Sequence, residues 1–250
     1  MSSADLFSLD GKVAVVTGGT SGIGRMITDG LLDAGMRVYV ASRKAEASEG
    51  DGLVTIPADL STQAGAEGLA AAIAEREETV HLLVNNSGAT WGAPFEEYPD
   101  SAFDKLWAIN VKAVFHLTRA LLPQLRAAAT AEDPARVINI GSVDGIRVPV
   151  METYAYSTTK AAVHMLTRHL AQNLARDHIT VNAIAPGPFD SKMMAFALDD
   201  PGTRSAISSS VPLRRVGEPG DLAGTVIFLA SKAGAYLTGS IIPVDGGITT

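Results

Sequence analysis

An α/β fold, a single-domain Rossmann-like doubly wound parallel sheet of about seven strands with helices on both faces, is what this chain predicts. Three observations carry that expectation. Short apolar, β-branched runs recur without polar alternation, as in strands buried on both faces. Longer segments with helical spacing alternate with those runs. No composition shift, repeat or low-complexity tract interrupts the 250 residues, so residues 1–250 are expected to form one domain.

Taken in order, "VAVV" (13–16) is the first strand and "GIGRMITDGLLDAG" (22–35) the first long helix. "RVYVA" (37–41) follows as the second strand. The crossover 42–52 is too short for a full helix before "LVTIPA" (53–58). "HLLVN" (81–85) leads to a long helix over 101–125, "RVINI" (136–140) to a helix over 161–177, and "TVNAIA" (180–185) to an irregular stretch. That stretch, 186–217, is rich in Pro, Ser and Met and reads as a mobile substrate lid. "EPGDLAGTVIFLAS" (218–231) and "IIPV" (241–244) close the chain as helix and strand.

Composition narrows the function classes. A net charge of −7, with no Lys/Arg run forming a patch, argues against nucleic acid as partner. There is no cysteine, hence no disulfide framework, no Cys-ligated zinc and no thiol catalysis. The N-terminal stretch lacks the basic and apolar regions of a signal peptide, and no run approaches a membrane span, so a soluble cytoplasmic protein is expected. The five histidines show no ligand spacing, and no metal site is expected.

"VVTGGTSGIGR" (15–25) places Gly18, Gly22 and Gly24 between a buried strand and an apolar-striped helix. Missing side chains there let the backbone approach a pyrophosphate at the helix N-terminus. It is not a P-loop, because Arg25 and Met26 stand where Lys and Ser/Thr are required. At the end of the second strand, Ser42, Arg43 and Lys44 supply a hydroxyl and two cations where a carboxylate would select NAD. A guanidinium fits a 2′-phosphate in charge and shape, which predicts NADP(H), with NAD(H) as the alternative. Asp59, after the third strand, either takes the adenine amino group or caps the next helix, a role open to Ser61 as well.

"TYAYSTTK" (153–160) offers two tyrosines and one lysine. Residues four apart share a helical face and residues two apart do not, so Tyr156 can meet Lys160 and Tyr154 cannot. Tyr154 lines a pocket or packs.

The set "TGGTSGIG" (17–24), "NNSGA" (85–89), Asn110, Ser142, "YSTTK" (156–160) and "PGPFDS" (186–191) resembles the classical short-chain dehydrogenase/reductase family over essentially the whole chain. "GLLDAG", "WGAPFEEYP" and "ARVINIGSV" are most similar to its 3-oxoacyl-carrier-protein reductase branch, which includes the reductases of rhamnolipid-type lipid synthesis. The resemblance implies a catalytic set of Asn110, Ser142, Tyr156 and Lys160. Tyr156 would exchange a proton with the substrate oxygen, and Lys160 would supply the cation a phenol of pKa near 10 needs, besides holding the nicotinamide ribose. Ser142 would orient the carbonyl, and Asn110 would anchor a water linking Lys160 to solvent. Cofactor contacts implied in the same way include Gly18, Thr20, Ser21, Gly22, Ile23, Gly24, Leu60, Asn86, Ser87, Gly88, Pro186, Gly187 and Ser191. Ser87 stands where the family usually has alanine, and Ser191 replaces the usual threonine while keeping a hydroxyl for the carboxamide.

Trp91, Val148, Val150, Met151, Phe189, Met193 and Met194 suggest a mostly apolar substrate pocket, suited to an acyl chain or another apolar ketone. The expected activity is NADP(H)-dependent hydride transfer between ketone and secondary alcohol. The rivals are a polyol or sugar-acid dehydrogenase and a dinucleotide-binding regulatory protein without turnover. The resemblance further implies a homotetramer or dimer packed through the long helices, where Phe115, Leu122, Met165 and Leu166 leave apolar surface.

Overall fold

The computed structural model describes residues 2–250 other than 192, 193 and 195–197. β1 (Val13–Thr17) is buried along its whole length, which is why every position is apolar or a small threonine. Val13 and Val15 join the core on one side of the sheet, Ala14 and Val16 the core on the other. β2 (Arg37–Ser42), β4 (Leu53–Pro57), β5 (Leu82–Asn85), β6 (Ala135–Ile140), β7 (Ile179–Pro186) and β8 (Ile241–Val244) run parallel to it. β3 (Ser48–Gly50) is the exception: it pairs antiparallel with β4 at the sheet edge. The spatial order is β3-β4-β2-β1-β5-β6-β7-β8.

One layer of helices packs Ile27 and Leu31 of α2 (Gly22–Asp33) with Leu222, Val226 and Leu229 of α9 (Pro219–Ala230). Across the sheet, α3 (Gln63–Ala74), α5 (Ala113–Ala120), α6 (Leu122–Ala128) and α7 (Tyr154–Leu174) cover the other face. Full burial of side chains such as Leu31 and Leu117 stabilises the fold by about 1.5–3 kcal/mol each. A short α1 (Ser3–Phe7), capped by Ser2, precedes β1.

The sheet has one more strand than expected, because the short crossover after β2 folds back as β3, tied by Arg37 Nη2 to Glu49 Oε1 at 3.1 Å. No helix forms there, as its length demanded. The helix expected over 101–125 is four pieces: α4 (Asp100–Trp107), a π-helical turn (Ala108–Lys112), α5 and α6. Pro123 explains the last break, since it has no N–H to continue the ladder and enters the first turn of α6. Within the expected lid, α8 (Pro201–Ser210) forms on an Asp200 cap that accepts from Thr203 N at 2.7 Å.

After β1 the chain winds outward to β4, then crosses back to β5 on the other side of β1. The C-terminal ends of β1 and β5 therefore open the crevice where ligands of doubly wound sheets bind. Thr17 stitches that crevice: its hydroxyl accepts from Asn86 N at 2.9 Å and Ser87 N at 2.8 Å.

Candidate active site

The crevice is one end of a cavity of about 1070 Å³ that runs from the β1–α2 turn to α7 and α8. Glycine is required at its floor. Gly18 and Gly22 have φ of +66° and +53°, and a Cβ on Gly24 would lie 2.2 Å from the Gly18 carbonyl oxygen. Ser21, the N-cap of α2, makes no side-chain cap bond, so the N–H groups of the first helical turn face the cavity without a side-chain acceptor. A twelve-residue helix ending this way attracts an anion.

Ser21, Gly22, Ile23 and Gly24 line this end with Arg43, Asp59 and Leu60. Arg43 forms no ion pair among the described residues. Thr20, Ser42 and Lys44 stand off the wall; the Thr20 and Ser42 hydroxyls bond each other at 3.4 Å. Asp59 accepts from Ser61 N at 3.0 Å and Ser61 Oγ at 2.7 Å, which holds its carboxyl below the usual range. Neither residue caps α3, because Thr62 does, accepting from Gly65 N. Asn86, Ser87 and Gly88 also line the cavity, as do Pro186, Gly187 and Ser191.

α7 supplies another wall of the cavity. Tyr156 and Lys160 lie one turn apart on the face turned to the cavity, and Lys160 Nζ is 5.6 Å from the Tyr156 ring centre. That ammonium donates to the Ile140 carbonyl at 2.7 Å. Burial brings Lys160 down to about 8. Burial also pushes the Tyr156 phenol up to about 12, opposed by the Ser142 hydroxyl and reinforced by the Asp144 carboxylate. At neutral pH the pair is thus phenol and ammonium. Tyr154 faces away, edge-on to Phe95 and Tyr98 at 5.5 and 5.3 Å, and donates to Glu152. It packs and does not line the cavity.

Ser142 caps a 3-10 turn (Val143–Gly145), its Oγ accepting from Asp144 N at 3.1 Å, while the residue lines the cavity beside Tyr156. The cap leaves Ser142 on the cavity wall, compatible with the site role the resemblance implies. Its hydroxyl hydrogen is left free to donate. Asn110 is buried in the π-helical turn and lies outside the cavity wall. Its Oδ1 accepts from Ala89 N at 2.9 Å, and its Nδ2 donates to Ala89 O and to Thr159 Oγ1, each at 3.0 Å. The amide clamps the loop after β5 to the helix that carries Lys160.

At the substrate end, Met151, Phe189 and Met194 line the cavity, and Val150, 95% exposed, reaches only its rim. Trp91 and Val148 do not line it. Trp91 is turned outward, with its carbonyl accepting from Tyr98 Oη, and Val148 is 89% exposed on the projecting turn. Met193 lies outside the described residues. The wall is also less apolar than expected, since Lys105, Asp144 and Arg147 line it. Asp144 and Arg147 sit in "GSVDGIR" (141–147), but the turn that swings them toward the cavity has no signature in that stretch.

A family model described as enoyl-(acyl carrier protein) reductase matches residues 18–249. The chain belongs to the short-chain dehydrogenase/reductase family. It is, with that family, a nicotinamide-dependent oxidoreductase. The rhamnolipids biosynthesis 3-oxoacyl-[acyl-carrier-protein] reductase of Pseudomonas aeruginosa is 50% identical over 96% of this chain and 97% of its own. The NADP active-site complex of Pseudomonas aeruginosa RhlG superposes with a TM-score of 0.94 at 47% identity, covering 98% of this chain and 99% of that one. A gluconate 5-dehydrogenase from Burkholderia cenocepacia, solved with NADP and tartrate, gives a TM-score of 0.89 at 28% identity, covering 99% of each chain.

Proposed function

We propose that the protein is an NADPH-dependent carbonyl reductase acting on a 3-oxoacyl thioester or a similar apolar ketone. One observation carries this reading: Ser142, Tyr156 and Lys160 share a continuous cavity with the glycine turn and Arg43. The residues present fit a phosphorylated dinucleotide. The α2 N-terminus suits the pyrophosphate, and Arg43 suits the 2′-phosphate. Ser191 and the Pro186–Gly187 turn border the nicotinamide end. Bound NADPH supplies hydride to the carbonyl carbon.

The chain's own residues do the rest. Ser142 donates its hydroxyl hydrogen to the carbonyl oxygen and fixes its position. Tyr156 gives the phenolic proton to that oxygen as it gains charge, and Lys160 stabilises the phenolate left behind. Asn110 keeps Lys160 in register by tying Thr159 to Ala89. Two hydroxyls on the wall of one cavity can both donate to a carbonyl oxygen, which has two lone pairs. The similarity to a 3-oxoacyl reductase supports the acyl substrate, with Met151, Phe189 and Met194 against its chain. The cationic Lys105 and Arg147 favour a second reading, a sugar-acid dehydrogenase such as the structural relative.

The enzyme works in this reading as a homo-oligomer in the cytoplasm, with segment 186–217 as the substrate lid. No helix among the described residues is long and apolar enough to cross a membrane. Following NADPH and NADH oxidation with a 3-oxoacyl thioester and with 5-ketogluconate separates the readings. The acyl thioester with NADPH is expected to be preferred by at least about tenfold; preference for the sugar acid would replace the first reading with the second.

A further inference from the structure

Ser142 belongs to a short segment, and two glycines show what braces that segment against α7. A Cβ on Gly141 would lie 2.1 Å from His164 Nε2 and 2.7 Å from His164 Cδ2, so the imidazole lies flush against the residue that precedes Ser142. A Cβ on Gly145 would lie 2.9 Å from His164 Cε1, 2.7 Å from the Lys160 carbonyl carbon and 2.8 Å from Ala161 N. One ring thus meets both ends of the segment. Backbone bonds hold its other side, since Gly141 N donates to Ile184 O of β7 at 2.7 Å and Gly145 N to Ser142 O at 3.0 Å. His164 follows Lys160 by four residues on α7, shares its face, and is 6% exposed. Its Nε2 is buried with no hydrogen-bond partner among the described residues, so at that atom the ring supports the segment by volume and not by a bond. Burial brings the imidazole down to about 4, which leaves it neutral beside the Lys160 ammonium.

We propose that His164 is a positioning residue for Ser142: its imidazole is the spacer between α7 and residues 141–145, and it sets where the Ser142 hydroxyl stands relative to Tyr156 on the same helix. This rests on the reading of Ser142 as a donor to the carbonyl oxygen. Protein interiors are close-packed, so a segment held between β7 and one ring has one height. Without the ring, residues 141–145 settle into the void, and a donor displaced from the reacting oxygen loses rate. Glycine at 141 and 145 belongs to the same device, because a side chain at either position would push the segment off the helix.

The test is a double-mutant cycle of kcat at saturating 3-oxoacyl thioester and NADPH, in wild type, His164→Ala, Ser142→Ala and the double variant, with the NADPH Kd followed by fluorescence. His164→Ala is expected to lower kcat by at least about tenfold and leave Kd unchanged. In the Ser142→Ala background the same substitution is expected to change kcat by less than about twofold, since the donor it positions is gone. A residue that only stabilised the fold would leave kcat of the folded enzyme as it is, so a wild-type kcat in His164→Ala overturns the proposal. So does a loss in the Ser142→Ala background as large as in wild type, because the ring would then act through Lys160 or the helix. Full-rate reduction by Ser142→Ala refutes the role of Ser142 instead, which keeps the two failures apart. Should His164→Ala not fold, His164→Asn keeps part of the ring's volume and is put through the same cycle.

Discussion

Lys160 pays for its place under the site: burial lowers its proton affinity to about 8, from an unperturbed 10.5. Two pH dependences of opposite sign follow. The reduction rate is expected to fall as pH rises through about 8, because the neutral amine no longer stabilises the Tyr156 phenolate. Stability moves the other way. Between about 8 and 10.5 the unfolded chain binds more protons at this residue than the folded one, so its burial penalty is relieved as pH rises. Tyr156 reverses that trend only above its unfolded value of 10.0, because its folded value is about 12. Initial rates and chemical denaturation at pH 7, 8 and 9 check both; a rate that holds steady through pH 9 contradicts the role given to Lys160. At this scale the sequence was informative, since four-residue spacing separates Tyr156 from Tyr154. Asp144 was not legible, because nothing in "GSVDG" tells which way its carboxyl points.

The π-helical turn is the element on which the site depends. Asn110 sits there with its amide oxygen and both amide hydrogens bonded inside the protein, and such insertions occur frequently at functional sites. Asn110→Leu leaves Ala89 N and O and Thr159 Oγ1 without that partner, at a cost of about 1–3 kcal/mol for each group left unsatisfied. We expect a loss of at least about 2 kcal/mol in urea unfolding together with a lower reduction rate. A variant as stable as wild type would mean the clamp contributes nothing. A periodic apolar pattern over 101–125 reads as one helix because a π turn changes the phase without changing composition. The break before α6 was readable, as Pro123 marks it, and so was the Asp200–Pro201 start of α8. The overall polarity of 186–217 masked that second signal.

At the scale of the whole molecule, a parallel sheet with helices on both faces follows from the alternation of buried runs and helices, the part of the fold most legible in the sequence. The exceptions are local: β3 at the edge, and an N-terminal helix too short for a periodic signal. What the alternation leaves open is the outer surface. Trp107, Phe115 and Met165 are 41%, 41% and 61% exposed on α4, α5 and α7. Apolar side chains on these helices fit an interface with a second copy of the chain. Phe115→Asp combined with Met165→Asp is expected to reduce the mass measured by light scattering to that of one 26.0 kDa chain. An unchanged mass would place any interface elsewhere.

All three scales meet in one proton, carried by Tyr156 in the cavity it shares with the glycine turn. The most direct measurement is single-turnover reduction of a 3-oxoacyl thioester by the Tyr156→Phe variant, with NADPH binding followed by fluorescence in the same sample. Removing only the hydroxyl is predicted to leave NADPH binding intact and slow reduction by about 10²–10⁴-fold. Full-rate reduction by the variant would contradict the account.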